Sequence, residues 1–376
     1  MKILIATDSF KGCLTSIEAG KAMERGVHEA MPDALTTVLP VSDGGEGMLY
    51  AFKEGCGGTT VHMKAHDALM RAVETCFVWD EATHTAYVEM AQTVGLSLLK
   101  PEERNPLQTT TYGVGETVME ALRTGARTIV IGLGGSSTND GGTGLAEALG
   151  FKFCDKHGNE LRGQGKNLKN IEAIDDSDVP NLVKEAFFVA ACDVTAPLFG
   201  PDGAACVFAP QKGATPDEVK RLDEGLHHYG ELLDHYSEEN VTLQHGAGAA
   251  GGTGAAMYAL LGAKMESGIR ILLKTSRFVR AFSACDIIIT GEGCMDEQTH
   301  MGKAAWGILE QGQRLGKTVY AIAGAITRDA EPKKYGFNAA LAATPENMPL
   351  NEALIPKIAE KNIANAVKRL FLTEKA

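Results

Sequence analysis

Gly132-Leu-Gly-Gly-Ser-Ser-Thr-Asn-Asp-Gly-Gly-Thr-Gly-Leu145 follows directly on the apolar run Thr128-Ile-Val-Ile131. A buried strand therefore runs straight into a turn dense in glycine, hydroxyls, an amide and a carboxylate. Glycine lets backbone N–H groups approach an anion closely, and Asn139 and Asp140 are placed to hold a metal or a hydroxyl. Two other segments repeat the layout: Ser42-Asp-Gly-Gly-Glu-Gly47 after Thr36-Thr-Val-Leu-Pro-Val41, and Gly291-Glu-Gly-Cys-Met-Asp296 after Asp286-Ile-Ile-Ile-Thr290. One such segment alone reads as a turn. Three strand ends carrying glycine and acid predict a phosphate and metal site in an α/β enzyme, because ligands collect at the carboxyl ends of strands.

The surrounding pattern sets the architecture. Ile3–Ala6 reads as a buried strand, Thr15-Ser-Ile-Glu18 as a capping box opening a helix to about Ala30, and Val38–Val41 as a second strand before a helix after Gly47. This alternation predicts a parallel sheet. Thr59–Ala65, Ala72–Trp79 and Thr85–Met90 are instead closely spaced and rich in Thr and β-branched residues, as antiparallel strands are. A helix over about 111–122 precedes the strand at 128–131, and Phe187–Cys192 is a further strand ending on Asp193. Pro216–Tyr236 reads as an amphipathic helix, and helices at about Gly251–Leu261 and Ile269–Lys274 follow it. Strand–helix alternation resumes with Ile287–Thr290 and continues to a last helix at Ile358–Leu370. The two ends share one character and the middle another. The expectation is a discontinuous parallel-sheet α/β domain from residues 1–70 and 286–376, interrupted by an inserted α/β domain with a mixed sheet at 71–285.

At 376 residues, two domains are the natural size expectation. With 36 basic against 48 acidic residues the net charge is −12, and no basic run occurs, which argues against nucleic acid and anionic membrane as partners. An acidic chain that binds phosphate must rely on local N–H groups, a few lysines and a divalent cation. The eight cysteines form no CxxC pair, as in a reduced cytosolic protein. No stretch approaches the ~18 apolar residues of a membrane span, and the start of the chain is too short in apolar residues for a signal peptide, so a soluble, cytoplasmic protein is expected. Nothing in the residues speaks to oligomeric state.

Several motifs are decoys. Gly312-Gln-Arg-Leu-Gly-Lys-Thr318 imitates a P-loop but is one residue short and enters a strand. Gly246-Ala-Gly-Ala-Ala-Gly251 matches GxGxxG, but only Val241–Gln244 is available as a preceding strand and none is evident at Glu266. Close helix packing explains it better than a dinucleotide. His62 and His66 share a strand face without the further ligands zinc needs.

At Asp8-Ser-Phe-Lys-Gly12 and Asp43-Gly-Gly-Glu-Gly47 the chain resembles the type I glycerate kinases of bacteria. The resemblance continues through Glu103-Arg-Asn-Pro106, Thr109-Thr-Thr-Tyr112, Gly132–Gly142, Cys192-Asp-Val-Thr195 and Pro210-Gln-Lys-Gly213. It goes on through Gly246–Gly252, Gly291-Glu-Gly with Asp296, Gln298-Thr and Gly302-Lys303, in family order over nearly the whole chain. It implies phosphorylation of D-glycerate by ATP with Mg2+, usually at the 2-hydroxyl. It also implies two α/β domains, one Rossmann-like and interrupted by the other, with the active site in the cleft. The chain departs from the family at Cys13, often Ser, and at Cys294, Met295 and Glu297. Losing an arginine at 294 removes a forked anion binder, which Lys11 or Lys303 must then replace.

Phosphoryl transfer asks for charge neutralisation, alignment and a proton acceptor. Gly134, Gly135, Ser136 and Ser137 are the candidate phosphate cradle, with Thr138 and Asn139 beside it. Lys11, between the first strand and helix, is the candidate contact to phosphate or the glycerate carboxylate. Asp43 and Asp296 are assigned to Mg2+ or the reacting hydroxyl, Asp140 to metal-bound phosphate, and Asp193 to the general base. The competing readings are a dinucleotide-dependent oxidoreductase built on the glycines at 246–251 and a non-catalytic binder of sugar acids.

Overall fold

The computed structural model describes residues 1–42, 44–45, 47–297, 299 and 303–373. It is an α/β protein of two compact units, Met1–Asp43, Tyr50–Gly57 and Ser267–Ala376 forming one, and Gly44–Leu49 and Gly58–Glu266 the other. Strands are numbered along the chain: β1 (Lys2–Ile5), β2 (Leu35–Val38), β3 (Thr59–His66), β4 (Ala72–Asp80), β5 (Thr85–Glu89), β6 (Thr128–Gly132) and β7 (Lys152–Cys154). They continue as β8 (Ala173–Asp175), β9 (Phe187–Ala191), β10 (Lys264–Glu266), β11 (Ile287–Met295), β12 (Thr318–Ile326) and β13 (Ala339–Ala342).

In the first unit, five parallel strands lie in the order β13-β12-β11-β1-β2. The two ends of the chain share this sheet, with Ile3 opposite Ile287 and Ile5 opposite Ile289. Their apolar runs are buried on both faces, as parallel strands require. Thr15 caps the helix Ser16–Ala30: its hydroxyl accepts from Glu18 N at 3.3 Å, and its own N–H donates to Glu18 Oε2 at 2.8 Å. A cap of this kind contributes about 1 kcal/mol. The helix buries Ala19, Met23 and Val27 in one cluster with Ile363, Val367 and Phe371 of the last helix, Pro356–Thr373. β2 begins three residues earlier than expected, and Pro40, which has no N–H, interrupts the pairing that Leu39 and Val41 still make with Ile5 and Thr7.

The second unit holds a mixed sheet in the order β10-β9-β6-β5-β4-β3, antiparallel across β3, β4 and β5 and parallel from β5 to β10. The expected boundary near residue 70 does not hold, because all of β3 pairs with β4, from Thr59 opposite Trp79 to His66 opposite Ala72. The boundary near 286 moves too. The helices Gly268–Leu273 and Ser276–Ala284 lie in the first unit, where Arg277 donates to Glu54 at 3.0 Å. The polar stretch after residue 155 holds short elements, among them β8, paired with β7. Among the described residues no helix is long and apolar enough to cross a membrane.

Candidate active site

β6 ends at Gly132, and the glycine turn begins there. A Cβ on Gly134 would stand 2.5 Å from Gly45 Cα, so the backbone of the second glycine segment lies directly on the turn. Glu89, buried at the end of β5, holds that segment by accepting from Gly47 N at 3.3 Å and Leu49 N at 3.1 Å. Two of the three glycine–acid segments thus meet at the carboxyl ends of β5 and β6. Asp43, expected to ligate metal or the reacting hydroxyl, lies outside the described residues.

The turn's own hydrogen bonds decide which groups it can offer. Ser137 N and Oγ both donate to Val94 O at 2.8 Å, so Ser137, expected in the cradle, is committed to the protein. Thr109 Oγ1 donates to Ser137 O at 3.1 Å. Gly141 N donates to Gly251 O at 3.0 Å and Thr143 N to Asp140 O at 3.1 Å. By contrast, the N–H groups of Gly134, Gly135 and Ser136 meet no acceptor among the described residues. Three neighbouring donors without internal partners at a strand's end suit an anion.

Asp140 does something other than the metal binding expected of it. Fully buried, its Oδ2 accepts from Thr111 N at 2.7 Å, Thr111 Oγ1 at 2.8 Å and Gly144 N at 3.2 Å, and its Oδ1 accepts from Gly142 N at 3.2 Å. Burial pushes this carboxyl up, against the pull of those four donors. With three donors on Oδ2 and one on Oδ1, Asp140 is the post around which the turn is wound.

Lys212 is a residue that sequence reasoning missed. Fully buried after Pro210, it donates from Nζ to Ser136 Oγ at 3.1 Å and to Thr138 O at 2.6 Å. Burial lowers its pKa to about 8, with Asp140 opposing the shift. Beside it, Thr138 Oγ1 and both amide atoms of Asn139 are buried with no hydrogen-bond partner among the described residues, an arrangement that leaves polar capacity next to the turn. The GxGxxG segment braces this assembly from behind. Ala250, Gly251 and Gly252 are left-handed at φ 51°, 68° and 93°, and a side chain on Gly251 would run into Thr138 O. A strand does stand at Glu266, contrary to expectation, but Val241–Leu243 before the glycines is a 3-10 helix and not a strand, so the dinucleotide context is missing. Asp193 sits half-buried just past β9. Beside it, burial pushes the Cys192 thiol up to about 11.

In the first unit the third glycine segment ends β11. Lys11 is exposed in the turn after β1, where Asp8 N donates to Gly291 O at 3.0 Å. Glu292, also missed, is buried and accepts from Thr299 Oγ1 at 2.9 Å. Burial raises its pKa, while the nearby charges of Lys303 and Lys11 oppose the rise. Lys303 Nζ donates to Asp296 Oδ1 at 2.7 Å. Lys11, Asp296 and Lys303 therefore gather around Glu292, and Lys303, one of the cations expected to replace the absent arginine, already has a carboxylate partner. Among the described residues no three His, Cys, Asp or Glu side chains form a ready metal-holding group.

The profile of the glycerate kinase family matches residues 3–374. The chain belongs to the glycerate kinase family. It is 39% identical over 374 residues to the glycerate 2-kinase of Escherichia coli K12, covering 99% of this chain and 98% of that protein. It is 39% identical over 371 residues to the glycerate kinase of Bacillus cereus, covering 98% and 97%. A crystal structure from Salmonella typhimurium LT2, named for glycerate kinase 2, superposes with a TM-score of 0.87 at 38% identity, covering 100% of this chain and 98% of that one. In this family member the stretch Thr109–Tyr112 supplies the clamp on Asp140, Pro210–Gly213 supplies Lys212, and Gly246–Gly252 supplies the brace.

Proposed function

We propose that this chain phosphorylates D-glycerate, with the magnesium complex of ATP as phosphoryl donor, and that 2-phospho-D-glycerate is the product. The observation that carries the reading is the turn after β6, whose Gly134, Gly135 and Ser136 N–H groups meet no acceptor among the described residues. These donors suit the nucleotide's phosphates. Lys11 answers a second negative charge, phosphate or the glycerate carboxylate. Asp193 accepts the hydroxyl proton as the new phosphorus–oxygen bond forms, and its place past β9 supports that role. Mg2+, when bound with the nucleotide, would supply charge neutralisation on the phosphates. With Asp140 engaged by four donors, Asp296 and Asp43 are the expected carboxylates that would hold it, and Asp296 would share its charge with Lys303. The eight free cysteines fit a reducing, cytoplasmic setting.

The test is ATP consumption with D-glycerate as acceptor, followed by assignment of the phosphorylated hydroxyl by phosphorus–proton coupling. Coupling to the C2 proton is expected. Coupling only to the C3 protons overturns the product assignment, and ATP turnover that ignores glycerate overturns the substrate.

A further inference from the structure

Lys212 lies far in sequence from the turn it touches, and phosphoryl transfer as described above does not use it. Its ammonium is buried, and two of its hydrogen bonds are identified: Ser136 Oγ at 3.1 Å and Thr138 O at 2.6 Å. An ammonium has no lone pair, so at Ser136 it can only donate, and the serine oxygen can only accept. The hydroxyl proton of Ser136 must then point elsewhere. No described group accepts it. It lies on the same residue whose backbone N–H also meets no acceptor among the described residues.

We infer that Lys212 is a positioning residue: it fixes Ser136 as a double donor, through N–H and O–H, to an oxygen of a bound nucleotide's phosphates. The inference rests on the phosphate-cradle reading of the turn and deepens it. A positive charge behind the serine polarises the hydroxyl and raises the local potential without touching the ligand. The residues that pack around the ammonium suit this arrangement. Asp140 supplies a compensating charge nearby but is itself saturated by four donors, so it does not pull the lysine out of the turn. Burial removes the competing water that would otherwise weaken both bonds. A lysine needed only to fill space would cost less as an apolar residue, since desolvating an ammonium is unfavourable.

The test measures ADP and adenosine binding by calorimetry, with melting temperature, for wild type, Lys212→Met and Ser136→Ala. Adenosine carries the base and sugar without phosphates. Loss of a charge-assisted contact in a closed site should weaken ADP about ten- to a hundredfold in both variants, with adenosine binding unchanged. Should Lys212→Met fail to fold, Lys212→Gln, which keeps a donor but loses the charge, is read in the same way. ADP weakened in Ser136→Ala but not in either Lys212 variant overturns the role of Lys212 and leaves the cradle standing. ADP unchanged in every variant overturns the cradle itself. ADP and adenosine weakened alike, together with a lower melting temperature, makes Lys212 a packing residue and overturns the inference.

Discussion

Replacing Asp140 by asparagine separates its observed role from the metal binding its sequence context suggests. The carboxylate accepts four hydrogen bonds in a fully buried setting, three on Oδ2 and one on Oδ1. Asparagine retains one acceptor oxygen and turns the other position into a donor. If the oxygen takes the place of Oδ2, the new NH2 group faces Gly142 N–H, donor against donor. The remaining bonds fall from charge-assisted, about 1.5–3 kcal/mol each, to neutral, about 0.5–1.5 kcal/mol each. The buried Lys212 also loses the favourable charge of Asp140 nearby, which adds to the cost. For a unit of this size each kcal/mol moves the melting temperature by about 2–4 °C, so a fall of roughly 10 °C or more is expected. Scanning calorimetry reads it directly. A Mg2+ titration of activity, run well below the variant's transition, should give the wild-type requirement. An unchanged melting temperature together with a raised Mg2+ requirement would refute the structural role and return Asp140 to the metal.

Three further outcomes are expected. Lys11→Ala should lower kcat/KM about ten- to a hundredfold with the melting temperature unchanged, as for loss of one charge-assisted contact, and near wild-type kinetics would remove Lys11 from the site. Asp193→Asn should cut kcat about a hundred- to ten-thousandfold while nucleotide binding and stability persist, whereas turnover within a fewfold of wild type passes the base role to another carboxylate. The depressed pKa of Lys212, about 8 against an ordinary 10.5, means that the unfolded chain holds the proton more tightly between those values. The destabilisation from burying the ammonium is full below about pH 8 and is relieved as pH rises toward about 10.5, so urea unfolding should show wild type gaining on Lys212→Met across that window. A wild-type disadvantage that grows with pH contradicts the assignment.

The sequence was most legible where one local rule governs. Ile3–Ile5 and Ile287–Ile289 announce buried parallel strands by unbroken apolar runs, and Thr15 with Glu18 announces a helix start through a cap completed within four residues. The glycine turn was visible as a turn for the same reason. Partnership across the fold was not. β3 has the composition of the strands after it, yet only its pairing with β4 assigns it to the mixed sheet. Asp140 beside Asn139 looks like a ligand pair, and its four donors come partly from Thr111, about thirty residues earlier. Lys212 sat in plain view within Pro210-Gln-Lys-Gly213, in a segment with no periodicity to show that its ammonium faces inward. The signal that could have found it is the cost of burying a lysine beside an apolar stretch unless something needs the charge.

β1 lies between β2 and β11, and Ile3 waits for Ile287. As the chain leaves the ribosome, β1, β2 and the helix Ser16–Ala30 emerge first, while Ile289, Ile322, Ile363 and Val367, which complete their core, emerge last. All strands of the mixed sheet lie between, so the inserted unit can close while synthesis continues. Order of synthesis and order of completion are reversed: the part made first is finished last. Truncating the helix Pro356–Thr373 would leave it in that unfinished state for good.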